Sequence, residues 1–114
     1  MCGIVGILSF SKGLSVDSSI LTKMRDTMIH RGPDGASNWI APHGKIGLGH
    51  RRLSIIDLST VATQPMCNED ESVWVTFNGE IYNHLSLRKD LLAKGHVFKT
   101  DHSDTEILVH GYEE

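Results

Sequence analysis

The sequence predicts an α+β fold, or a layered αβ sandwich, in one domain. Three observations point there. Short runs rich in Val and Ile fall at 2–10, 53–56 and 73–77, the first of them interrupted by glycines. Three segments with helical spacing alternate with such runs or follow them. A length of 114 residues leaves room for one core and hardly more. At this size about two-thirds of the unfolded surface can be buried, enough for a core without staples.

Residues 2–10 read as a buried strand, broken only by Gly3 and Gly6. Asp17 or Ser18 caps a helix whose apolar residues are Ile20, Leu21, Met24 and Met28. That helix stops near Arg31-Gly32-Pro33-Asp34-Gly35, because Pro33 fixes φ and Gly35 tolerates a positive one. Residues 38–41 and 45–50, parted by Pro42 and Gly44, form a hairpin. Residues 53–56 suit another strand, 57–67 a loop, and 73–77 a buried strand. Residues 83–94 read as a helix with Leu87 and Leu91 on one face and Gly95 as its stop. A short strand at 97–100 follows. Ser103-Asp104-Thr105-Glu106 then has the form of a capping box ahead of Ile107-Leu108-Val109.

Composition narrows the function. Eleven Lys and Arg against fourteen Asp and Glu give a net charge of −3, with no basic block longer than Arg51-Arg52. A nucleic-acid partner and an anionic membrane are therefore not expected. No apolar run approaches the roughly 18 residues that a membrane span requires. No basic region precedes the first apolar stretch, so no signal peptide is read. Two cysteines, Cys2 and Cys67, are too few for a disulfide framework and suit reduced thiols in the cytoplasm.

Five places carry candidate chemistry. Cys2 becomes the N-terminus if Met1 is removed, and then holds a thiol beside a free α-amine. An unperturbed thiol with a pKa of about 8.5 is only about 3% thiolate at pH 7, so a neighbouring amine is a fitting base. The competing reading of Cys2 is a small hydrophobe at the start of a strand. Asn78-Gly79 is a hairpin signal, but the residues after it run into a helix, which leaves the amide and the glycine N–H to serve an oxyanion hole. Arg51 and Arg52 offer a fork for a carboxylate, one of the pair being solvated. Asp104 falls in a first helical turn, where the dipole alone would explain it. Glu80 has no local structural explanation. The seven His lack the usual zinc spacings and read as scattered, so no metal is expected.

Taken together, six motifs resemble a family. They are Met1-Cys2-Gly3-Ile4-Val5-Gly6, His30-Arg31-Gly32-Pro33-Asp34-Gly35, Gly49-His50-Arg51-Arg52-Leu53-Ser54-Ile55-Ile56-Asp57, Gln64-Pro65-Met66, Phe77-Asn78-Gly79-Glu80-Ile81-Tyr82-Asn83 and Ser103-Asp104-Thr105-Glu106. In this order they resemble the glutaminase domain of asparagine synthetases, a class II glutamine amidotransferase of the N-terminal nucleophile hydrolase type. The resemblance implies a four-layer αββα sandwich and hydrolysis of glutamine through a Cys2 thioester. It implies Asn78 and Gly79 for the oxyanion hole, and Arg52, Ile55, Asn78, Glu80 and Asp104 for the substrate. Arg51 falls at a position that the family leaves variable. Ala62 stands where the family commonly has glycine, which implies an altered loop path.

Family domains continue past the Asp104 helix with further strands, so residues 1–114 are expected to be the N-terminal part of such a domain. They would then form an incomplete sandwich, as a truncated fragment or as one part of a split protein. The implied partners are L-glutamine and an ammonia-accepting synthetase domain in a parent or partner chain. An open sheet edge would invite a homodimer. No cofactor is expected here, since ATP and magnesium belong to the synthetase domain. The other reading the sequence leaves open is a non-catalytic remnant that acts as a binding or structural piece.

Overall fold

A computed structural model of the protein describes residues 1–54 and 62–114. The chain is a mixed α/β structure that divides into two compact units, Met1–Leu58 and Ser59–Glu114.

The first unit is a three-stranded antiparallel sheet with one helix against it. Strand β1 (Gly3–Leu8) and strand β2 (Gly35–Ile40) are both edges, flanking the central strand β3 (Ile46–Arg52). Helix α1 (Ser18–Asp26) follows Asp17, whose carboxylate accepts from the N–H groups of Ser19 and Ile20. The aspartate, not Ser18, is therefore the cap. The register pairs Gly3 with Arg51, Val5 with Gly49 and Ile7 with Gly47 on one face of the sheet. This face carries α1. A Cβ on Gly47 would lie 2.8 Å from Val16 and 3.0 Å from Leu21, and one on Gly49 2.7 Å from Val5. The helix thus approaches the bare main chain of β3, and Leu21 is fully buried there.

The opposite face corrects the expectation of a fully buried first strand. Ile4 and Leu8 project away from α1 and are 45% and 55% exposed. The expected hairpin at 38–50 is present, and it extends three residues earlier and two later. Leu53 and Ser54 are not in a strand; residues 55–61, the rest of that expected strand and Ile55 among them, lie outside the described residues.

The second unit packs helix α3 (Glu106–Glu113) against helix α2 (His84–Ala93) and a two-stranded ribbon, β4 (Met66–Cys67) with β5 (Trp74–Val75). Leu91, Met66, Ile107 and Val109 form its buried apolar centre. Helix α2 stops at Gly95 as expected, with φ at +97°, a conformation that glycine adopts without penalty. The ribbon corrects two readings: the strand expected at 73–77 is two residues long, and its partner lies in the stretch read as loop.

The strand expected at 97–100 does not form. Its N–H groups are taken by carboxylates instead: Val97 donates to Glu69 (3.1 Å), Lys99 to Glu106 Oε1 (2.5 Å) and Thr100 to Glu106 Oε2 (2.8 Å). The same use of Glu106 undoes the expected capping box. Thr105 precedes α3 without a side-chain cap, and the N–H of Ser103 donates to Thr100 Oγ1.

Candidate active site

In the first unit, the two arginines end on opposite faces because successive residues of a strand alternate. Arg51 points beneath α1 and is buried, 7% exposed. Its Nε donates to the carbonyl of Gly32 at 2.8 Å, and its Nη1 to Asp26 Oδ1 at 3.2 Å. The guanidinium of Arg25 first, and then that of Arg51, hold the Asp26 carboxyl below the ordinary range. Neither arginine is freely solvated, contrary to the sequence expectation: Arg51 is a structural tie and Arg52 is half-buried. Arg52 takes the other face. Cys2 immediately precedes β1, whose first residue, Gly3, pairs with Arg51.

The turn between α1 and β2 builds the wall behind this pair. Arg31 Nε donates to the carbonyl of Cys2 at 3.2 Å. Asp34 binds the next stretch twice: its N–H donates to the carbonyl of Arg52 (3.0 Å), and its carboxylate accepts from the N–H of Ser54 (2.7 Å). The N–H of Leu53 lies 3.5 Å from the thiol sulfur of Cys2, which is half-buried, while Met1 is 73% exposed.

In the second unit, the segment that holds Asn78, Gly79 and Glu80 is exposed and fixed at both ends. Before it, the N–H of Phe77 donates to Gln64 Oε1 at 2.6 Å, and Gln64 Nε2 donates to Thr105 Oγ1 at 3.2 Å. After it, the N–H of Ile81 donates to Asp104 Oδ2 at 2.8 Å. Asp104 precedes α3 and spends one oxygen on this loop, so the expected dipole role gives way to a tie between two segments. A Cβ on Gly79 would stand 2.6 Å from the Phe77 ring, which excludes any side chain there without a shift of the ring.

A family model, the glutamine amidotransferase domain, matches residues 1–114. The chain belongs to the glutamine amidotransferase domain family. It is 47% identical, over 98% of its length, to glutamine-hydrolyzing asparagine synthetase 1 of Bacillus subtilis (strain 168). It is 43% identical to an asparagine synthetase of Sandersonia aurantiaca and 41% identical to asparagine synthetase 1 of Arabidopsis thaliana, over its full length in both cases. It spans 17%, 21% and 18% of the length of these three relatives.

Within this amidotransferase domain, Cys2 and Arg52 share the first unit, and Asn78, Gly79, Glu80 and Asp104 share the second. Ile55 lies outside the described residues. Sequence reasoning missed Gln64 and Glu106 as ties. For Gln64 the available signal was an amide next to a proline within a motif, which does not say what the amide binds. Among the described residues, both cysteines are free, and no helix is long and apolar enough to cross a membrane.

Proposed function

We propose that this domain hydrolyses the side-chain amide of glutamine with Cys2 as an N-terminal nucleophile, within the αββα sandwich of the N-terminal nucleophile hydrolases. Once Met1 is removed, the α-amine of Cys2 takes the thiol proton and the thiolate attacks the amide carbon. The Asn78 side chain and the Gly79 N–H stabilise the resulting oxyanion. Collapse of the tetrahedral intermediate breaks the C–N bond, and the ammonium-bound proton of the α-amine passes to the leaving nitrogen, which departs as ammonia. Water, deprotonated by the same amine, then cleaves the thioester and releases glutamate. Arg52 grips the α-carboxylate of glutamine, and Asp104 with Glu80 and Ile55 holds the rest of the amino acid. The ammonia feeds asparagine synthesis in a synthetase domain of a parent or partner chain, where ATP and magnesium act. The two free cysteines fit the cytoplasm.

What supports the reading most is the register of β1 on β3. It gives Arg51 a structural task beneath α1 and leaves Arg52, of the two forks, on the opposite face, next to Leu53, whose N–H lies 3.5 Å from the Cys2 sulfur. The test is ammonia release from glutamine by purified chain whose intact mass lacks Met1. Activity that vanishes in Cys2→Ala is the expected result. Equal ammonia from Cys2→Ala, or full activity in protein that retains Met1, refutes it. A folded, processed chain without turnover favours the non-catalytic reading.

A further inference from the structure

Three side chains of the second unit converge without any role in the proposed glutamine chemistry. His96 follows α2, and His110 and Glu113 lie one turn apart on α3. One ligand atom from each falls within 4.8 Å of the others. His110 Nδ1 is 3.3 Å from Glu113 Oε2, and His96 Nδ1 is 3.7 Å from the same oxygen. These separations match those between neighbouring ligands around a cation with bonds of about 2.0–2.2 Å. Glu69 Oε1, which also accepts from the N–H of Val97, stands 3.7 Å from His110 Nδ1.

The far side of each ligand is also occupied, in the manner of an outer shell. His110 Nε2 faces Glu106 Oε1 at 3.5 Å, and His96 Nε2 faces Glu114 Oε2 at 3.2 Å. A proton on each Nε2, held by a carboxylate, leaves the Nδ1 lone pairs pointing inward. Glu113 Oε1 accepts from Asn68 Nδ2 at 2.6 Å, which turns Oε2 toward the two rings. His110 and Asn68 are about 1% exposed, whereas Glu113 is open enough to admit an ion. Charge points the same way: four carboxylates surround two imidazoles, and Lys94 neutralises only Glu114.

We propose that His96 Nδ1, His110 Nδ1 and Glu113 Oε2 bind a divalent transition-metal ion, with Glu69 or water completing the shell. Two imidazoles with a carboxylate favour zinc over magnesium or calcium, which prefer all-oxygen shells. The ion is structural. It clasps α3 to the segment after α2. The sequence hid it because 13 residues separate the two histidines, a spacing no common zinc motif uses.

The test is Zn2+ titration of the full 114-residue chain against a chromophoric chelator, with melting followed by circular dichroism. One equivalent of Zn2+ is expected to bind and to raise the Tm. The partly exposed positions supply the variants, His96→Ala and Glu113→Ala, which should weaken binding at least ~10-fold, the loss that even outer-shell changes bring. His43→Ala should bind as the parent does. Co2+ should give visible d–d bands without a thiolate charge-transfer band. Absence of stoichiometric binding, affinity unchanged in both variants, or binding lost only in Cys2→Ser or Cys67→Ser would overturn the site. A chain that stays unfolded with Zn2+ present would do the same.

Discussion

Replacing Arg51 by Met, and separately Arg52 by Met, should split stability from substrate binding. Met keeps most of the aliphatic stem, so the change isolates the guanidinium. At Arg51, the buried carbonyl of Gly32 loses its 2.8 Å donor, and an unmade bond at a buried group costs about 1–3 kcal/mol. The Asp26 partner is 41% exposed at its side chain, so that ion pair adds little after solvent screening. The loss is therefore about 1–3 kcal/mol, or roughly a 10 °C fall in Tm for a chain of this size. Arg51→Lys keeps the charge but cannot reach both acceptors, so it should cost about 1–2 kcal/mol rather than pass unnoticed, as family variability alone would suggest. Arg52→Met should shift the Tm less and abolish glutamine binding. The assay pairs thermal melts with the KM for glutamine. An Arg51→Met variant that melts like the parent, or one that raises KM while Arg52→Met does not, would refute the division of labour.

Two further outcomes rest on the same unit. Asp26 has a lowered pKa in the folded chain, so its contribution is complete above the unfolded value of about 3.9 and fades as pH falls through the folded pKa. Asp26→Asn should flatten the acid limb of a stability-against-pH curve and leave the curve above pH 6 parallel to the parent's; an unchanged acid limb would show that Asp26 is not coupled to folding. Gly49→Ala puts a Cβ 2.7 Å from Val5 and 3.0 Å from Asn38, and such overpacking costs about 1–3 kcal/mol by chemical denaturation. A midpoint equal to the parent's would mean that the sheet yields at no cost.

Legibility followed the range of the forces involved. The Gly95 stop and a helix cap at Asp17 or Ser18 are set by neighbours within a few residues and read from the sequence, as does the presence of the first strand, although its exposed face does not. Strand β4 is two residues long and exists because Met66 and Cys67 pair with Val75 and Trp74, which no local pattern announces. The 97–100 segment carries the right residue types for a strand, but Glu106 and Glu69 capture its N–H groups from outside. Ser103-Asp104-Thr105-Glu106 matched a capping box in letters only, because its Glu had a stronger set of donors elsewhere. Cys2, Asn78 and Arg52 stood out by chemistry and motif, while the separate task of Arg51 emerged only once the register fixed which face each arginine takes.

The amide of Gln64 has a consequence for how motion spreads in the second unit. Its acceptor end holds the segment that leads into Asn78, and its donor end holds Thr105, 41 positions away in the chain. Because the two ends differ, the group fits one way round: a half-turn would set a donor against the Phe77 N–H. A polar strut of this kind ties the position of Phe77 to that of the residue beside Asp104. Leu at this position would fill the same volume and uncouple the two segments. Glu would keep the grip on Phe77 and hold Thr105 only with the hydroxyl as donor, which reverses the polarity of that end of the strut.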